Sequence, residues 1–362
     1  MLKERLVERI RAGGPITFAD LMDAALFDPD YGYYTTRASI GFGEGDDFFT
    51  SADLGPHFGR ALARLAADAW VALGRPPAWD VVEAGAGRGI VMRDLLSALE
   101  RERPDAARSA RPGSVEVSPR LREQQAAALG GRELRWAASV RGLAPIHGLV
   151  FANEVLDAFP VHVLVRTDEG VREVHVDERE GDLVEVLRAP SQADLRWRVP
   201  EALPAGGRWE VSVAAEGWVA QVAAAIVTGY LLLVDYADDE AGLIGRAGSG
   251  TVRGFSRHRL VSDPLRDPGQ ADITATVNVT AVRRAAEGAG LRLVRETTQR
   301  EMLLALGVRE ATGRPPSALE QLREASRRSA VDVLLDRKGL GAFRALLFAK
   351  DAPATGFRAF SG

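Results

Sequence analysis

The 362-residue chain contains no cysteine, and only three of its residues are lysine: Lys3, Lys338 and Lys350. Without cysteine there can be no disulfide, thiolate zinc site or cysteine nucleophile, and a reducing compartment is compatible. Histidine is scarce too. His57, His147, His162, His175 and His258 show none of the close pairing that metal ligation uses, so no metal is expected. Nearly all the positive charge is arginine, which reads as a compositional bias. A net charge of −4 supplies no global field for nucleic acid, and no nucleic-acid partner is expected. Long apolar runs are also missing. The most apolar, Tyr230 to Val234, suits a strand rather than a bilayer span, so no membrane partner is expected. The first residues place Leu2, Leu6, Val7 and Ile10 on one helical face and include Glu4 and Glu8. That pattern is a docking helix, neither a signal peptide nor an acid-poor transit peptide, and the cytoplasm is the default address.

The most informative segment runs from Trp79 to Leu96, WDVVEAGAGRGIVMRDLL. An apolar strand ends on Glu83, then Gly85, Gly87 and Gly89 alternate, and Ile90, Val91, Leu95 and Leu96 begin a helix. Strand, glycine loop and helix make a nucleotide pocket in an open α/β sheet, because glycine turns sharply and admits a ligand close to the backbone. A dinucleotide fingerprint would need glycine where Ile90 stands, and a phosphate loop would need Lys followed by Ser or Thr. Instead the strand delivers a carboxylate, which suits an ammonium or sulfonium ligand. The pattern E-x-G-x-G-x-G looks like the S-adenosylmethionine (SAM) loop of a Rossmann-like methyltransferase. Close packing alone is the plainer explanation of such glycines.

Further strands follow at Ser114–Val117, Leu134–Trp136, Gly148–Ala152, Tyr230–Asp235, Leu291–Arg295 and Arg344–Ala349, with helical patterns between the earlier ones. They predict an α/β fold with a seven-stranded sheet, its last strand antiparallel at an edge. Residues 1–60 read as an N-terminal helical and lid-loop extension, carrying Tyr31–Arg37 and Gly45–Ser51 as two Gly/aromatic loops. Residues 61–362 read as the Rossmann-like domain, with a β-rich insertion at about 163–212 and a helical cap at about 300–340.

Glu116, 29 residues after Gly87, ends the second strand, where an acid can accept both ribose hydroxyls of a nucleoside. A surface glutamate is the alternative. After the fourth strand comes Asn153-Glu154-Val155-Leu156-Asp157-Ala158-Phe159-Pro160. Its two carboxylates and amide stand where this fold class places its chemistry. They could equally start a helix, with Asn153 as the N-cap.

These segments together resemble the MidA-like family of SAM-dependent methyltransferases, a group that includes a mitochondrial complex I assembly factor acting on protein arginine. The likeness spans about Gly14 to Phe348. It rests on D-P-x-x-G-Y-Y at 28–34, D-F-x-T at 47–50, E-x-G-x-G-R-G at 83–89, E-x-S-P-x-L-R at 116–122 and N-E-x-x-D-A-x-P at 153–160. L-L-V-D-Y at 232–236, D-I-T-A at 272–275 and T-Q-x-x-x-L-L-A-L-G at 298–307 extend it. The resemblance implies that Glu83 and the three glycines hold the methionine part of SAM and that Glu116 binds its ribose. It also implies that the Asp47 loop and Asn153-Glu154 face donor and acceptor. Asp53 after Ala52, where relatives carry Pro-Glu, and Thr276, where many carry His, depart from the pattern. Glu154 is the expected base and Asp157 the second choice, with Asn153 positioning the acceptor. That acceptor is a protein, on an arginine, or a small molecule methylated on O or N. An assembly factor with little turnover is the third reading, and a homodimer is allowed. Calorimetry with SAM is expected to give a binding isotherm where NAD gives none; the reverse result would discard the loop assignment.

Overall fold

The computed structural model describes residues 1–37, 50–256, 259–261, 263–309 and 328–360. Asp47 with residues 45–49 of its Gly/aromatic loop, His258, and residues 310–327 of the expected helical cap lie outside the described residues. The described chain forms two compact units.

One unit comprises Thr50–Val155, Val219–Tyr236 and Arg283–Gly362 and is built on a seven-stranded sheet. Its strands are β1 (Trp79–Ala84), β2 (Ala110–Val115), β3 (Arg135–Ala137), β4 (Ile146–Asn153), β5 (Ile226–Asp235), β6 (Arg292–Thr298) and β7 (Arg344–Lys350). The order across the sheet is β3-β2-β1-β4-β5-β7-β6. The first five are parallel, and β7 runs antiparallel to both neighbours. This is the doubly wound methyltransferase arrangement, in which the strand order reverses at β1 and β4. The final strand is antiparallel as expected, but it is not at an edge. Ala345–Ala349 is buried at every position and needs strands on both sides, whereas β6, part-exposed along its length, takes the edge. Helices α1 (His57–Ala72), α2 (Ile90–Glu102) and α3 (Pro119–Leu129) belong to the same unit.

The amino ends of four strands meet on one buried carboxylate. Asp80 of β1 has no exposed surface and accepts from Arg111 of β2 (3.1 Å), Arg135 of β3 (2.7 Å) and the His147 amide of β4 (2.8 Å). Buried charge is tolerable only when it is paired and bonded in this way.

The other unit comprises Met1–Phe49, Leu156–Trp218 and Ala237–Val282. This division differs from the expected cut after residue 60. The polar–apolar alternation at 163–212 is present as strands His162–Thr167, Gly170–Arg179, Asp182–Arg188 and Arg208–Val211, all paired antiparallel. Ile16–Thr17 joins that sheet by pairing with His175 and Val176. Leu2, Leu6, Val7 and Ile10 then share one core with Phe18, Leu21, Val163, Val174 and Val176. The N-terminal helices are thus bound to the β-rich segment because each buries the apolar face of the other.

Gly148 on β4 shows how closely the strands approach beside Asp80. A Cβ there would lie 2.0 Å from the Asp80 carbonyl oxygen. Gly148→Ala is expected to cost about 3 kcal/mol or more, read as a lowered denaturation midpoint. A loss below about 1 kcal/mol would show that β1 and β4 are free to separate there.

Candidate active site

Parallel pairing sets the site. Glu83 is in register with Ser114 on β2 and Phe151 on β4, and Ser114 is in register with Trp136 on β3. Because side chains alternate, Trp136, Ser114, Glu116, Glu83, Phe151 and Asn153 share one face of the sheet at its carboxyl end. Open α/β sheets bind ligands outside the carboxyl ends of their strands, where the strand order reverses.

After β1 the chain turns through Gly85, Gly87 and Gly89 at φ 71°, 49° and 76°, values that favour glycine. The loop delivers the first turn of α2 back toward Glu83, whose carboxylate accepts the Met92 amide. Its Oε2 has no hydrogen-bond partner although the residue is 4% exposed. Burial pushes the Glu83 carboxyl from the ordinary 4.5 up to about 8, against the lowering effect of the Met92 bond. On β4, Asn153 Oδ1 is likewise buried without a partner. Two unsatisfied acceptors on adjacent strands are rare in a native interior and fit a cation-bearing ligand such as the methionine ammonium or sulfonium.

Glu116 follows β2 and is also buried. Burial raises its carboxyl, opposed by the Ser118 and Val117 amides, Arg122 and Gln125. Oε1 accepts the Ser118 amide at 2.8 Å and Oε2 the Gln125 amide at 3.4 Å. Those contacts leave lone pairs for ribose hydroxyls.

Asn153-Glu154 does not start an α-helix, contrary to one of its two expected readings. Glu154 sits at φ 53°, left-handed and sparsely populated for a residue with a Cβ, and only a 3₁₀ turn, Leu156–Ala158, follows. Glu154 is fixed by what surrounds it. Its Oε1 accepts Asn153 Nδ2 (2.8 Å) and the Ser51 amide (3.1 Å), and its own amide donates to Val234 of β5 (2.9 Å). Asp235, at the end of β5, accepts the Val155 amide at 3.0 Å. Ser51 Oγ reaches Gln299 at 3.2 Å.

Asp157 is brought together with different partners. It belongs to the other compact unit, with Tyr34, whose hydroxyl donates to Asp272 at 2.8 Å. Burial, then the charges of Asp272 and Asp157, hold the Tyr34 hydroxyl well above its usual range. Burial raises Asp157 itself to about 6, outweighing the backbone bonds that lower it.

Sequence reasoning missed Ser51, Gln125, Gln299 and Asp235. Asp235 carried the same signal as Glu83, an acid at the end of an apolar strand, whereas Gln125 carried none. Asp53 retains its place despite the Ala52-Asp53 departure. Its side chain, 3% exposed, accepts the Thr50 amide and forms an ion pair with Arg88 inside the glycine loop.

Residues 61–297 match a protein-family model described as "Putative S-adenosyl-L-methionine-dependent methyltransferase". The chain belongs to this methyltransferase family. It is 31% identical over 335 residues to the mitochondrial protein arginine methyltransferase NDUFAF7 of Danio rerio, covering 84% of this chain and 76% of that one. The Homo sapiens counterpart is 30% identical, with 78% and 68% covered. A crystal structure of a methyltransferase-like protein from Burkholderia thailandensis, bound to S-adenosyl-homocysteine, superposes with a TM-score of 0.88 at 30% identity, over 99% of this chain and 94% of that one. A native crystal structure of a protein of the same superfamily from that organism gives 0.87 at 30% identity, over 99% of this chain and 94% of that one. The chain is therefore a SAM-dependent methyltransferase with SAM as its cofactor and a methyl acceptor as its second substrate. The cytoplasmic address is corrected by these relatives, which are named as mitochondrial. It had rested on absent cysteine and on the charge of the first helix, neither of which encodes a compartment.

Glu83 makes the apo-protein pH-sensitive. Its folded-state value near 8 lies above the unfolded 4.5, so the folded state holds the extra proton, and its contribution to stability falls as pH rises from 4.5 through 8. Glu83→Gln mimics the protonated acid. The melting temperature of the apo variant should climb relative to wild type between pH 5 and pH 8, and a difference independent of pH would refute the burial of Glu83.

Proposed function

We propose that the carboxyl ends of β1, β2 and β4 hold SAM and that Glu154 with Asn153 handles a cationic acceptor, an arginine of a protein. The observation that carries this reading is the pair of buried acceptors lacking donors, Glu83 Oε2 and Asn153 Oδ1, on the same sheet face as Glu116. Glu83 and the glycine loop would take the methionine end, and Glu116 the ribose. SAM supplies an electrophilic methyl group on a sulfonium. Support for arginine as acceptor comes from the relatives named protein arginine methyltransferase, and from the chemistry of Glu154.

A guanidinium has a pKa above about 12, so it reaches the site protonated. A carboxylate can orient it, balance its charge and receive its proton as the nitrogen–carbon bond forms and the carbon–sulfur bond breaks. The left-handed backbone at Glu154 and its bonds from Asn153 and Ser51 hold that carboxylate in one orientation, which in-line transfer requires. Asn153 Nδ2 is committed to Glu154, which leaves Asn153 Oδ1 as the acceptor facing ligand. Asp157, the second choice for the base, is grouped with Tyr34 and Asp272 in the other compact unit.

Incubating the protein with a cell extract and methyl-labelled SAM, followed by mass spectrometry, should place label on arginine. Label confined to small molecules would overturn the arginine assignment. With the acceptor in hand, Glu154→Gln should keep SAM affinity within about threefold and lower single-turnover methylation by about 10²–10⁴-fold, the usual worth of a positioned acid–base group. Undiminished methylation would remove Glu154 from the chemistry.

A further inference from the structure

Gln125 of α3 is wholly buried and lies under the glycine loop. Its Nε2 donates to the Gly87 carbonyl at 2.9 Å and reaches Glu116 Oε2 at 3.4 Å, while its Oε1 accepts the Trp136 indole N–H at 2.9 Å. These partners admit one orientation of the amide. A carbonyl and a carboxylate can only accept, so they require the NH2 side; an indole can only donate, so it requires the oxygen. A flipped amide would lose all three contacts. Gly89 belongs to the same construction, since a Cβ there would stand 3.0 Å from Gln125 Cγ. The third glycine of the loop therefore makes room for this side chain as well as turning the backbone.

We infer that Gln125, locked by Trp136, is a positioning residue that sets the glycine loop against Glu116, and so couples the two halves of the SAM site. This rests on the reading that the loop and Glu116 hold SAM. One amide group spans a segment assigned to the methionine end and a carboxylate assigned to the ribose. Loss of its NH2 would let the Gly87 peptide rotate and leave Glu116 without one of its donors. Among the charged groups near residue 125, Glu116 meets its amide, Arg122 is bonded to the Glu116 carbonyl, and Arg88 of the glycine loop is paired with Asp53.

The test is calorimetric titration of SAM into the full chain and its variants, well below their melting temperatures. Gln125→Met, similar in volume, should raise the SAM Kd at least tenfold at pH 6 and pH 8 alike. Gln125→Glu should raise it at least tenfold at pH 8 and much less at pH 6, each relative to wild type at that pH, because a protonated acid can donate as the amide does. Trp136→Phe, at a half-exposed position, should raise it about threefold by unlocking the amide. A merely structural glutamine would lower the melting temperature in all three variants without this pattern in Kd. Values within twofold of wild type for folded Gln125→Met and Gln125→Glu would overturn the inference, provided that Glu116→Ala weakens SAM in the same assay. If Glu116→Ala also binds normally, the assignment of the loop and Glu116 to SAM falls, and this inference with it.

Discussion

Parallel pairing of β1 with β2 and β4 is the constraint on which the rest depends. Register places Glu83 beside Ser114 and Phe151, and the two-residue alternation then carries Glu116 and Asn153 to the same face. A slip of one residue in either pairing would send a carboxylate or the amide to the opposite face. The register is held from the opposite end, where the buried Asp80 carboxylate gathers Arg111, Arg135 and the His147 amide.

The buried carboxylates at the two ends of the sheet are satisfied differently. At the amino end the buried charge has three donors. At the carboxyl end Glu83 Oε2, Ser114 Oγ and Asn153 Oδ1 have none. Leaving buried acceptors unmatched costs about 1–3 kcal/mol each. Glu154 adds a left-handed backbone to that cost. A fold tolerates such sites where a ligand supplies the missing partners, as we propose the cationic methyl donor does.

Neighbouring elements stiffen the site without touching the reacting atoms. Asp53 ties the turn Ser51–Asp53 to Arg88 of the glycine loop. Gln125 ties the same loop to Glu116 and Trp136. Ser51 and Gln299 meet behind Glu154. Arg88, Glu116, Glu154 and Gln299 sit in the motifs at 83–89, 116–122, 153–160 and 298–307, so these contacts join motifs that lie far apart in the sequence.

The sequence alone determined the α/β class, the glycine turn after β1, the acid ending β1 and the acid ending β2, because each is a local pattern of spacing and residue type. The same holds for the antiparallel strands near 163–212, where alternation is visible within a few residues. Tertiary structure alone decided that β7 lies between β5 and β6, since burial on two faces depends on what packs there. It decided that Asp157 joins Tyr34 and Asp272 while Glu154 joins Ser51, although only two residues separate the acids. The left-handed turn at Glu154 divides them, and it is held by bonds from β5. It also decided the role of Gln125, a polar residue on a polar helix. Its position becomes meaningful only when a strand, a glycine loop and an indole from three separate segments converge on its amide.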